Sequence, residues 1–441
     1  MAADGQRKFN MSAGADWSVD PRLARAGELL QRREVLQAEL LFRAVLREHP
    51  GCVPAARTVA ELSLDRGDLD GALAVLRNAA QVAPTDLALR FDLARAQAQA
   101  GQLAESQAAV EAVLKDDPGH HLAWLMLAEL RDAAGDGFGA LRARWQAIDR
   151  AQRTGRWLGR DTTEPHLMQA VMGHIGRLRE DRRHWLQQAI EPVRQAFGGA
   201  AVTRVETALA AYLGEIDLRP PHPQQRPKFL YFPGLPDGPY HDPMLQPWAP
   251  QLRDAWPAIR AEAMQLLAED RDFESFLGLA QGQRAPQYVG GSNPAAAWDA
   301  FFFYRHGQRF DSNHTRCPAT SAVLEGLTLC RVARQAPEVC FSVLRPQSTI
   351  MPHHGVTNTR LVMHLPLIVP PGCALNVIGL GEHHWREGEL MMFDDTYEHE
   401  AWNRSDSPRL IVLMDCWNPH LTPPEQQAVQ RLVEAIDAVE N

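Results

Sequence analysis

Apolar residues in the first third of the chain recur at helical spacing, and the interruptions between the apolar runs keep a fixed beat. Pro50, Pro84 and Pro118 are 34 residues apart, as are Gly67, Gly101 and Gly135. Small residues hold the same phase: Ala60, Ala94 and Ala128, then Ala38, Ala72, Ser106 and Ala140. Each unit reads as two short helices joined at a Gly-containing turn and stopped by Pro, with small residues where the helices approach. From about Arg156 to Leu218 the helical pattern continues without these marks. Eight prolines then fall in the 25 residues from Arg219 to Pro243, which signals a boundary. The stretch PQLRDAWPAIRAEAMQLL predicts a short amphipathic helix beyond it.

After about Trp298 the period changes. CFSVLRPQS, TRLVMHLPLIV, CALNVIG, GELMMFDD, HEAWN and RLIVLMDCW are short runs rich in branched and aromatic residues, separated by Pro, Gly, Ser and Asp. So many short strands in so little chain predict a barrel or jelly roll with alternating inward and outward positions. The alternation puts Arg360, Val362 and His364 on one strand face and Leu361, Met363 and Leu365 on the other. In the first third, the 34-residue period resembles the tetratricopeptide repeat, although only Trp124 stands at a large aromatic position. The expected fold class is α + β multidomain, with a tetratricopeptide-like helical solenoid over 17–155, a helical connector over 156–222 and a β domain with a C-terminal helix over 223–441.

Composition narrows the class but not the function. The 441 residues are 45% apolar and 22% charged, ordinary for globular protein and wrong for a disordered or fibrous chain. Lys+Arg number 45 against 54 Asp+Glu, a net charge of −9 without long basic runs, so neither nucleic acid nor an anionic membrane is an expected partner. The N-terminus MAADGQRKFNMSAGADW lacks a signal-like apolar core and no long apolar span follows, so a soluble, cytoplasmic chain is expected. The six cysteines show no paired spacing and read as reduced, buried residues.

Histidine is unevenly spread. Seven of the 17 lie between His353 and His420. His353 precedes one predicted strand and His399 follows another, and imidazoles so placed on a barrel can hold a divalent first-row metal. Arg409 opens the last strand, where a buried guanidinium could grip the far carboxylate of a metal-chelating 2-oxoacid.

The segments CFSVLRPQSTIMPHHGVTNTRLVMHLPLIVP, WREGELMMFDDTYEHEAWN and RLIVLMDCWNP resemble the aspartyl/asparaginyl β-hydroxylase family, and the resemblance extends over roughly 225–425. It implies a double-stranded β-helix (jelly-roll or cupin-like) oxygenase domain that uses iron(II), 2-oxoglutarate and O2. It assigns His353 and His399 as the two iron ligands, with Gly355 where the usual triad has a carboxylate. Ser342 and Arg409 match the residues that grip the distal carboxylate of 2-oxoglutarate, and His364 the one near the proximal carboxylate. The animal enzyme's arginine two residues before that histidine is Val362 here, and Arg360 is the candidate to compensate. Cys317 matches one half of a disulfide in the animal enzyme, but this chain has no partner close before it. His354 is expected to face away from the metal, His383 and His384 to lie in a turn, and Trp402 and Trp417 to pack in the core. Asp394 and Asp395 are expected to serve the structure or to support the ligands.

The reaction implied is hydroxylation of an unactivated C–H bond, first of all at the β-carbon of Asp or Asn in a peptide or protein held by the repeats. Two alternatives stand beside it: hydroxylation of a small molecule or lipid-derived substrate, and a non-catalytic repeat scaffold whose barrel binds a ligand. The pattern gives no oligomeric state.

Overall fold

The computed structural model describes residues 20–269, 272–279, 285–291 and 297–441. The N-terminal stretch read above and residues 17–19 of the expected repeat region lie outside the described residues. The repeat region is built from α1 (Pro21–Gln31), α2 (Val35–Glu48), α3 (Val53–Asp65), α4 (Leu69–Val82), α5 (Leu87–Gln99), α6 (Leu103–Asp116), α7 (His121–Ala133) and α8 (Gly137–Arg153). Gly67, Gly101 and Gly135 turn one helix into the next at φ of 79°, 76° and 79°. A Cβ on any of the three would meet nothing within 4 Å, so left-handed backbone and not crowding calls for glycine there. Asp68 and Asp136 then cap the following helices, their carboxylates accepting from the Gly71 and Gly139 amides at 2.9 and 2.8 Å. The small residues of the repeat are buried where the helices cross. Ser106 fits among them because its hydroxyl donates to the Ala94 carbonyl at 2.8 Å.

A long helix follows, α9 (Met168–Phe197), with Pro192 inside it, and then α10 (Thr203–Tyr212). The chain divides into two compact units within α9, between Arg182 and Arg183. In the second unit the expected amphipathic helix is broken at Ala255 into α11 (Ala249–Asp254) and α12 (Trp256–Glu269). Two short helices, α13 (Asp311–Arg316) and α14 (Pro318–Glu325), lie within the β region, and α15 (Pro423–Glu440) closes it behind a Thr422/Glu425 capping box. Leu186, Ile190 and Val193 of α9, Val205 and Leu209 of α10, and Leu432 and Ile436 of α15 share one core.

The strands are β1 (Tyr240–His241), β2 (Glu274–Ser275), β3 (Val289–Gly291), β4 (Trp298–Arg305), β5 (Gln308–Arg309), β6 (Val339–Leu344), β7 (Ser348–His353), β8 (Arg360–Ile368), β9 (Cys373–Val377), β10 (Gly381–His383), β11 (Met391–Phe393), β12 (His399–Asn403) and β13 (Arg409–Trp417). They form two antiparallel sheets. The larger runs β1-β11-β8-β13-β6-β4-β2, with β5 on β4, and the smaller runs β10-β9-β12-β7-β3. On β8, Leu361, Met363 and Leu365 pack with Leu252, Ile259 and Leu324 of the helices behind the larger sheet. Val362 turns the other way, toward Leu375, Val377, Phe393 and Tyr397. The alternation read from the sequence is therefore the division between two cores. All six cysteines are unpaired, and Cys317 has no partner. No helix among the described residues is long and apolar enough to cross a membrane.

Candidate active site

The antiparallel pairing of β7 and β12 sets His399 opposite His353, although 46 residues separate them in sequence. Their ring centroids are 4.1 Å apart. Each ring is fixed by the carbonyl two residues before it: Nδ1 of His353 lies 2.8 Å from the Met351 carbonyl, and Nδ1 of His399 2.9 Å from that of Tyr397. With the proton held at Nδ1, both Nε2 lone pairs are left for another partner. Burial, and then the neighbouring His353, push His399 down to about 3, and burial also lowers His353. Both rings are neutral at pH 7, the state a metal needs.

The two rings share a cavity of about 360 Å³ with Ser342, Arg360, His364 and Arg409. Arg409 is 2% exposed, and its Nε and Nη2 have no hydrogen-bond partner. Its guanidinium lies over the Trp385 ring at 5.0 Å, and burial pushes it down to about 10. An unpartnered buried cation is costly unless an anion joins it, so this end of the cavity is made for a carboxylate. Ser342, fully buried, accepts from the Trp298 indole at 2.9 Å, which leaves its own hydroxyl proton free to turn toward such an anion. His364 Nδ1 accepts from the Trp385 indole at 3.2 Å, which puts its proton on Nε2 as a donor. Burial and the Arg409 charge hold His364 neutral.

Arg360 lies on the expected face, but its guanidinium is paired with Asp415 at 2.7 Å. Gly355 has a clear reason to lack a side chain. A Cβ there would meet the Asp395 carboxyl at 2.1 Å, so Asp395 fills the space that a carboxylate on residue 355 would use. Burial pushes Asp395 up to about 7, and its Oδ1 has no hydrogen-bond partner. Asp394 points elsewhere and accepts from Thr396 and Gln225. His354 is turned to the Thr396 carbonyl at 2.9 Å. His383 ends β10 beside Tyr240, and His384 is exposed near Glu382. Trp402 and Trp417 are buried.

The sequence reading had no place for Trp298, Trp385, Asp415 or Glu338, all of which line the cavity. Trp385 stood in plain view beside the His-His turn, but an indole donor reveals its acceptor only in three dimensions. Among the described residues no group of three or more His, Cys, Asp or Glu side chains is arranged to hold a metal, so the paired histidines stand as a two-residue candidate.

Residues 253–419 match the model of the family described as Aspartyl/Asparaginyl beta-hydroxylase, and residues 63–130 match a tetratricopeptide repeat model. The mouse (Mus musculus) "Aspartate beta-hydroxylase domain-containing protein 2" is 31% identical over 209 residues, 46% of this chain and 58% of that one. The "Ornithine lipid ester-linked acyl 2-hydroxylase" of Rhizobium tropici is 27% identical over 226 residues, 51% of this chain and 72% of that one. The human (Homo sapiens) "Aspartyl/asparaginyl beta-hydroxylase" is 34% identical over 133 residues, 30% of this chain and 17% of that one. This chain thus spans little more than half the length of the mouse relative. Among solved structures, "MamA RS-1 ArsTM double mutant" covers 30% of this chain and 75% of that chain at 19% identity, with a TM-score of 0.29. Every candidate residue of the cavity thus lies in the segment, 253–419, that is similar to the aspartyl/asparaginyl β-hydroxylase family, and the same chain carries a segment that matches the tetratricopeptide repeat.

Proposed function

We propose that this chain is an iron(II)- and 2-oxoglutarate-dependent hydroxylase whose two sheets form a double-stranded β-helix. The observation that carries the reading is the joint presence, in one cavity, of two neutral imidazoles with free Nε2 atoms and a buried guanidinium without a counter-ion. His353 and His399 would hold the iron. Bound iron, with 2-oxoglutarate and O2, supplies the oxidising chemistry: the 2-oxoacid loses CO2 and becomes succinate while one oxygen atom enters a substrate C–H bond.

The protein's share is binding and orientation. Arg409, with the Ser342 hydroxyl, would take the distal carboxylate, and the His364 Nε2–H would meet the proximal one. Arg360 shares its charge with Asp415, so its part in holding the cosubstrate is secondary to that of Arg409. Asp395, filling the place of a residue-355 side chain, lines the same cavity.

For substrate, the first reading is the β-carbon of Asp or Asn in a polypeptide, with the tetratricopeptide repeats as the part that would hold the chain. The apolar wall of Val362, Leu375, Ile411 and Leu413 favours a second reading, a small or lipid-derived substrate, for which the Rhizobium relative's name offers a parallel. Purified protein supplied with iron(II), ascorbate and 2-oxoglutarate should release succinate. A chain that takes up no iron under anaerobic loading would sink both readings and leave the scaffold. Given turnover, deletion of residues 1–155 should abolish peptide-dependent succinate release if the first reading holds and spare turnover of a small substrate if the second does.

A further inference from the structure

The proline-rich segment that composition marks as a boundary is, in the structure, a strap across the loops that flank the paired histidines. Residues 228–232 meet the loop after His353: the Lys228 amide donates to the Gly355 carbonyl at 3.1 Å, and the Phe229 amide to that of Val356 at 2.9 Å. Asn358 closes this contact with two hydrogen bonds to the Phe232 backbone, at 2.7 and 2.9 Å. The strap also meets the loop before His399. Gln225 Nε2 donates to Asp394 at 2.8 Å, the Arg226 amide to the Thr396 carbonyl at 2.8 Å, and the Glu398 amide to the Gln224 carbonyl at 3.1 Å.

These contacts converge on Tyr397. Its carbonyl fixes the His399 ring, its hydroxyl donates to Asp237 and accepts from the Gly238 amide, and its side chain is fully buried. One residue therefore ties the aim of His399 to a strap that begins about 170 residues earlier in sequence.

We propose that the strap is a positioning element for the metal ligands, acting through the Tyr397 hydroxyl and its Asp237 anchor. The inference rests on the reading of His353 and His399 as metal ligands. The test is binding of Co(II) alone to the full-length, metal-free chain, followed by its visible d–d bands. Tyr397→Phe keeps the ring and the carbonyl but loses the anchor. It should bind Co(II) about tenfold more weakly and alter the band intensities, with far-UV dichroism unchanged. Asp237→Ala, at an exposed residue, should do the same should the tyrosine variant fold poorly, and Asp237→Asn, which keeps the acceptor oxygen, should restore wild-type binding. Wild-type binding with equal affinity and spectrum in Tyr397→Phe and Asp237→Ala would overturn the strap's role alone. Equal loss in Asp237→Ala and Asp237→Asn would also overturn it, since the hydrogen bond would then not be the cause. Failure of the wild-type chain to bind Co(II) would overturn the ligand assignment and this inference with it.

Discussion

Arg409 is buried with its charge unanswered, and that has a measurable cost. Truncating a paired buried ion usually destabilises, whereas removing an unpaired one of similar volume relieves a penalty. Arg409→Met should therefore unfold at or above the wild-type denaturant midpoint in the metal-free state, by about 1 kcal/mol. The same substitution should raise the 2-oxoglutarate requirement at least about a hundredfold, read by titrating succinate release. Stability and function would move in opposite directions at one residue, as expected of a site built for a ligand. Glu338 adds a pH signature. Burial raises its carboxyl from 4.5 to about 7, and Asp395 rises from 3.8 to about 7 in the same cavity. A carboxyl that is harder to ionise when folded adds stability below its unfolded value, and that stability is lost as pH rises through the folded one. Against the opposite slope from His353, His364 and His399, which are held neutral when folded, each of these two carboxyls should contribute a downward slope of no more than about 1.4 kcal/mol per unit between about pH 4 and 7. Glu338→Gln keeps an acceptor for the His306 amide, now bound at 2.8 Å, and should flatten that slope by one group's share in urea melts across pH.

At the scale of elements, β7 and β12 bring the histidines together, and the loops beyond them decide what else fits. Gly355 is outside the left-handed region, so space alone excludes a side chain. Gly355→Asp should cost about 2 kcal/mol or more, because its carboxyl would overlap and repel that of Asp395. Adding Asp395→Gly should recover most of the loss, measured by the urea midpoint. How much of this was legible follows from the kind of signal each element carries. The alternation on β8 sorted Arg360, Val362 and His364 from Leu361, Met363 and Leu365 because a strand has only two faces. The same reading could not give Arg360 its partner, since Asp415 reaches it through the register of β13 against β8. The strap stayed hidden for a different reason. Proline removes periodicity, and the segment works mainly through backbone groups whose partners lie well over a hundred residues away. Composition could mark it as irregular but not as attached.

The whole molecule consists of two compact units, each with its own buried residues. Metal and 2-oxoglutarate should bind only the folded state of the unit from Arg183 onward. At a ligand concentration a hundredfold above Kd, that unit should gain about 2.7 kcal/mol. Calorimetry should show its transition moving upward while that of the repeat helices stays in place; equal shifts in both would show that the units unfold together. The repeat helices have a freedom of their own. Gly67, Gly101 and Gly135 adopt nearly the same φ with open space around each, so one turn is made three times from interchangeable parts. A duplication or loss of 34 residues in phase would keep the glycine turn and the register of the helix crossings. Natural variation can thus lengthen or shorten the repeat region in whole steps, independently of the residues that line the cavity.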